Sequence, residues 1–295
     1  MSLPNDGNRV VIITGISPGI GQSIARDFAI SGCNVLVTSP NEHELKNIVS
    51  DISSEIGNSN RVSYLVGDIS EKAFADTLME EAIKKWGRID VLINNGKITN
   101  NPKITSDEEI IPENKLQQLQ QISSYCIPEE YQTSDPLIRG LYYSIKAAVT
   151  TMMTNNNGDN LAIINISSCQ GCITQRTANS FTEFNFGVEP YIDSMARIET
   201  LTKSIALELA DKGIRVNGIV PGLVFNDMNE ELVKDANKRK YKEKEVPLGR
   251  IANPQEISKV VLFLASKEAS YITGAMIPVD GGLMLKRPNY FTEVI

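Results

Sequence analysis

Thr14-Gly15-Ile16-Ser17-Pro18-Gly19-Ile20-Gly21 directly follows the apolar run Val10–Ile13. A chain that must turn tightly and admit a diphosphate against its backbone needs residues without a Cβ at such points. A helix starting at Ile20 would then offer free N–H groups and the positive end of its dipole to the phosphates. Thr14, Gly15, Ser17, Gly19, Ile20 and Gly21 are therefore the candidate phosphate cradle. Cys169-Gln-Gly-Cys172 has redox-pair spacing, but the chain holds one His and four Cys in all. A metal would need two more ligands, so the reading is no metal site and two small, half-buried side chains. His43, the single histidine, reads as a solvent-facing residue at a helix start.

The elements that must hold the cradle alternate along the whole chain. Strand patterns are Val10–Ile13, Val35–Val37, Val62–Val66, Val91–Ile93, Leu161–Ile166, Val216–Val220 and Met276–Val279. Continuous apolar runs of this length are what strands buried on both faces require. Helical spacing appears at Ile20–Ile30, Glu42–Ile56, Glu71–Trp86, Tyr191–Ala210 and Pro254–Ala265, the last opening on a proline. Repeated β-α units with right-handed crossovers specify an α/β fold, a doubly wound parallel sheet with helices on both faces. No linker or repeat divides residues 1–295, so one domain is expected. Inserts at about 97–136 and 175–190 and a segment at about 223–247 interrupt the rhythm and suit a substrate lid. Pro112–Tyr125 has a helical pattern, and the charged run 226–245 reads as a solvated helix face.

Composition narrows the function classes. Hydrophobic residues make up 41% and charged residues 22%, so the chain can bury an ordinary core. The net charge of −7 disfavours nucleic-acid binding. No apolar run approaches membrane-spanning length. A polar start and few cysteines give a cytoplasmic expectation.

The Thr-Gly-x-x-x-Gly-x-Gly spacing resembles the short-chain dehydrogenase/reductase family. Further matches are Gly67-Asp68-Ile69, Asn94-Asn95-Gly96, Asn165-Ile166-Ser167-Ser168, Tyr191 with Ser194, Arg215-Val216-Asn217, Pro221-Gly222, Thr273-Gly274 and Asp280-Gly281-Gly282. The resemblance implies NAD or NADP held by the cradle with Ser39, Asp68, Ile69, Asn95, Gly96, Pro221, Gly222 and Val224. It implies hydride transfer between nicotinamide and an alcohol or carbonyl of a small-molecule substrate, in a homodimer or homotetramer. Ser168 would orient the carbonyl and Tyr191 would give or take the proton. Ser39-Pro40 supplies neither the acid that grips a ribose diol nor the cation that grips a 2′-phosphate.

Two departures matter. The family's lysine, one helical turn after the tyrosine, is Met195 here, and its helix-borne asparagine aligns with Leu137. A thioether can neither acidify a phenol nor donate to a ribose hydroxyl. Neither Arg197 nor Lys203 has the right spacing to replace it, and the enoyl-reductase lysine position holds Ile198. Tyr142-x-x-x-Lys146 reproduces the spacing on the wrong helix, which leaves Lys97 as a rescue candidate. Two readings stay open: an oxidoreductase impaired by Met195, or a catalytically silent nucleotide-binding sensor or scaffold.

Overall fold

The computed structural model describes residues 8–96, 133, 135–155, 160–169, 189–225 and 234–285, with backbone alone at 155 and 189–191. Seven parallel strands form one sheet in the order β3-β2-β1-β4-β5-β6-β7. They are β1 (Val10–Thr14), β2 (Asn34–Ser39), β3 (Val62–Val66), β4 (Val91–Asn94), β5 (Leu161–Ile166), β6 (Ile214–Pro221) and β7 (Met276–Val279). The helices are α1 (Ile20–Ile30), α2 (Glu42–Ile56), α3 (Lys72–Trp86), α4 (Pro136–Asn155), α5 (Glu189–Leu209), α6 (Ala236–Glu243) and α7 (Pro254–Ala265). The strand order reverses between β1 and β4. That switch point opens a crevice at the carboxyl ends of the strands, where ligands of such sheets bind.

Period-2 alternation divides each strand between two cores. Val11, Ile13, Val35 and Val37 face Ile24, Phe28, Leu45, Ile48, Ile257 and Val261 of α1, α2 and α7. Ile12, Leu36 and Ile163 face Leu78, Ile145, Ile198 and Ile205 of α3, α4 and α5. Helix ends follow their caps: Asn41 accepts from the Glu44 N–H to start α2, and Asn253 with Glu256 forms a capping box before Pro254.

Several bounds differ from the sequence reading. Glu71 caps α3 rather than entering it, and α5 starts two residues before Tyr191. β6 is longer at both ends than Val216–Val220, and all eight of its residues are buried. Its polar members are satisfied from outside the strand. Arg215 donates to the Leu264 carbonyl at 2.7 Å, and Asn217 donates to the Ile272 carbonyl at 2.8 Å and accepts from the Ala275 N–H at 3.0 Å. α6 buries no residue and is capped by Asp235, so the charged run does form a solvated helix face there. His43 is exposed in the first turn of α2. Pro112–Tyr125, Cys172 and Lys97 lie outside the described residues, as does most of 97–136 and of 175–190. No helix among the described residues is long and apolar enough to cross a membrane.

A buried polar ladder ties the sheet to its helices just below the crevice. Asn94 and Asn165 are register partners on β4 and β5, and Asn94 Nδ2 donates to Asn165 Oδ1 at 2.9 Å. Thr14 and Ser144 hydroxyls reach Asn94 Oδ1 at 3.3 and 2.7 Å, and Asn165 Nδ2 donates to Thr202 on α5 at 2.9 Å. Asn165→Leu keeps the branched outline of the side chain but strands the Asn94 amide in the core. The expected cost is about 1–3 kcal/mol, read as a lower urea midpoint at unchanged m. An unchanged midpoint would show that water replaces the lost partner.

Candidate active site

The cradle is built around close backbone approach. Gly15 has φ +62, and a Cβ there would lie 2.0 Å from the Asn95 carbonyl oxygen. The Asn95 side chain donates to the Gly15 carbonyl at 2.9 Å and also sits 3.0 Å from where a Gly21 Cβ would be. Gly19 caps α1 with φ 103 and ψ −124, and no side chain caps this helix start. Glycines thus hold an open loop beneath an uncapped helix N-terminus, an arrangement whose donors fit a diphosphate. Thr38 on β2 has a buried hydroxyl with no partner among the described residues.

The other expected nucleotide contacts also come to the carboxyl edge. Ser39 ends β2, and Asp68 and Ile69 follow β3, with Asp68 Oδ1 accepting from the Ser70 N–H at 2.9 Å. Gly96 follows β4 under Leu137, whose Cδ1 would lie 1.9 Å from an added Cβ. Pro221 ends β6. Gly222 packs on Asp280, and Val224 bridges to Ala252. Two cavities among the described residues, of about 500 and 750 Å³, lie away from this edge, one between α3 and α4 and one near the start of β6.

Beside the cradle, Ser167 and Ser168 follow β5. Ser168 is half-buried. Ser167 is buried, and its Oγ lies 3.3 Å from the Met195 carbonyl oxygen and 3.7 Å from the Met195 sulfur. Tyr191 is the third residue of α5; its side chain lies outside the described residues. Ser194, one turn on, donates to Asp135 Oδ2 at 2.5 Å. Asp135 also starts α4, accepting from the Leu137 N–H at 2.8 Å. This carboxylate therefore fixes the start of α4 against the helix that carries Tyr191.

A family model described as Enoyl-(Acyl carrier protein) reductase matches residues 15–284. The chain is a short-chain dehydrogenase/reductase. It is 32% identical over 278 residues to an L-rhamnose-1-dehydrogenase of Scheffersomyces stipitis, covering 94% of this chain and 96% of that one. It is 32% identical over 277 residues to a 3-oxoacyl-(acyl-carrier-protein) reductase of Chlamydia muridarum, covering 94% and 97%. Among solved structures, a gluconate 5-dehydrogenase from Burkholderia cenocepacia, in complex with NADP and tartrate, superposes with a TM-score of 0.71 at 25% identity, covering 95% and 96%.

The family resemblance leads to the expectation of a cation at position 195 of this short-chain dehydrogenase/reductase, and the residue there is Met195. Met195 is 4% exposed. It shares one hydrophobic cluster with Ile138, Leu141 and Ile198, and Leu137 packs against the same cluster. Both positions thus lie on the same face of the sheet, Met195 buried and Leu137 partly so. Among the described residues, two of the alternative cations are engaged elsewhere: Arg197 pairs with Asp193 at 2.9 Å and Lys203 with Glu199 at 2.6 Å, in exposed i,i+4 pairs. Lys146 lines the cavity between α3 and α4. Sequence reasoning missed Asp135, Ser144 and Thr202, because each pairs with a residue distant in the chain.

Proposed function

We propose that this short-chain dehydrogenase/reductase binds NAD or NADP and interconverts an alcohol and a carbonyl on a small-molecule substrate, with turnover limited at proton transfer. Gly15, Gly19, Gly21 and the start of α1 would hold the diphosphate, with Ser39, Asp68, Ile69, Asn95, Gly96, Pro221, Gly222 and Val224 around the rest. Bound there, the nicotinamide supplies or accepts the hydride. The Ser168 hydroxyl would orient the substrate oxygen, and the Tyr191 phenol would deliver or remove its proton.

The observation that carries the reading is the burial of Met195, with partly buried Leu137 packed against the same cluster and over Gly96 of the glycine cradle. A free phenol titrates near about 10, so without a cation the phenolate fraction at pH 7 is only ~10⁻³. Reduction retains its protonated donor, although that donor is a weak acid. Oxidation loses nearly all of its base. The same apolar pair supports a second reading, a silent nucleotide-binding sensor or scaffold.

Calorimetric titration with NADH and NADPH, followed by a carbonyl and alcohol panel from pH 6 to 10.5, separates the two readings. The expected result is nucleotide binding, slow carbonyl reduction and alcohol oxidation that climbs steeply with pH. Binding without turnover at any pH supports the silent reading. Absence of binding overturns both.

A further inference from the structure

We infer that the carboxyl end of β2 favours the unphosphorylated nucleotide, so that this chain takes NAD(H) in preference to NADP(H). The inference rests on the nucleotide-binding reading above and specifies its cofactor. The second strand of such a sheet ends at the adenosine ribose, where a 2′-phosphate must find a cation. That phosphate brings roughly −1.5 to −2 charge at pH 7.

This corner has little to offer it. Ser39 is 7% exposed, and its hydroxyl accepts from the Asn41 N–H at 3.2 Å. The Ser39 carbonyl accepts from the Gly67 N–H at 3.2 Å. Pro40 is exposed and has no N–H. The Asn41 side chain is occupied with the Glu44 N–H at 3.2 Å. The positive end of the α2 dipole is offset by two carboxylates in its first turn, Glu42 and Glu44. Lys46, the next cation along the helix, is paired with Glu42 at 2.7 Å.

The three turns that meet at this edge, residues 15–19, 39–41 and 67–70, contain no Lys or Arg and one carboxylate, Asp68. A dianion would therefore meet Glu44 and Asp68 with no Lys or Arg in these three turns, and the one described cation nearby on the helix, Lys46, already neutralises Glu42. A ribose diol carries no charge and meets no such repulsion. Charge alone thus separates the two nucleotides, even though no acid at position 39 grips the diol.

Calorimetric titration of the full chain with NADH and NADPH tests the inference at low and at 0.3 M salt. NADH is expected to bind about tenfold tighter or more at low salt, with the gap narrowing as salt screens the carboxylates. Pro40→Arg, at an exposed position, places a guanidinium at the corner and is expected to tighten NADPH about tenfold relative to NADH. NADPH binding as tightly as NADH to the natural sequence overturns the inference and leaves the proposed function standing. So does a ratio that Pro40→Arg does not move. If neither nucleotide binds, both fall.

Discussion

Met195→Lys combined with Leu137→Asn is expected to raise alcohol oxidation at pH 7 by roughly 10²-fold and to move the rise of its pH profile from near 10 toward ~7–8. The argument is electrostatic. An ammonium one helical turn after Tyr191 stabilises the phenolate, and each unit of phenol acidification is worth about 1.36 kcal/mol. Shifts of ~2–3 units multiply the available base by ~10²–10³, and the weaker basicity of an acidified phenol returns part of that gain. Met195→Lys alone should do less. Position 195 is buried in the hydrophobic cluster on the α4 and α5 side of the sheet, so a lone ammonium there would be desolvated and drift toward its neutral form. Asparagine at 137 would give it a polar neighbour across the α4–α5 contact. The two substitutions should therefore be non-additive, the pair exceeding the product of the singles. The pair should also lower the melting temperature, because it puts polar groups into a dry cluster. A double variant that folds, binds nucleotide and keeps the parent pH profile would show that proton transfer is not the limiting step.

The sequence carried most of the scaffold. Leu161–Ile166, Ile20–Ile30 and Pro254–Ala265 begin and end where their patterns do, because apolar runs and Gly or Pro punctuation act locally. The start of β6 was underread because Arg215 looks polar. It is buried all the same, since carbonyls at the end of α7 satisfy it. Candidate residues were legible where a family motif is contiguous, as at the glycine loop, and where the resemblance calls for a different residue, as at Met195. The Asp135–Ser194 bond and the Asn94–Asn165–Thr202 ladder were not. Each joins residues dozens of positions apart, and a hydrogen bond between two short polar side chains leaves no periodic trace in either segment. Leu137 illustrates both limits. Its alignment suggested a lost asparagine, but only the structure shows it lying over Gly96 at the lip of the cradle.

Gly15→Ala is expected to abolish the cradle, and Gly57→Ala supplies the control that makes the result interpretable. The two glycines have nearly the same backbone, φ +62 and φ +63. Left-handed backbone costs an L-residue about 1–2 kcal/mol, so strain alone should penalise both variants alike. Their surroundings differ. A Cβ at Gly57 meets nothing within 4 Å, whereas at Gly15 it would lie 2.0 Å from the Asn95 carbonyl oxygen. That oxygen belongs to backbone held against β1, with the Asn95 N–H donating to the Thr14 carbonyl at 3.3 Å and its side chain donating to the Gly15 carbonyl at 2.9 Å. Relief requires the turn after β4 to move away from the loop, which widens the site the diphosphate would occupy. Gly57→Ala should lose about 1–2 kcal/mol in urea unfolding and bind nucleotide normally. Gly15→Ala should lose more than that, and its nucleotide affinity should fall by about tenfold or more, since misplaced amides no longer converge on the phosphates. Equal losses in the two variants, with nucleotide affinity intact in both, would mean that the loop after β1 binds no phosphate and that its glycines serve only the turn.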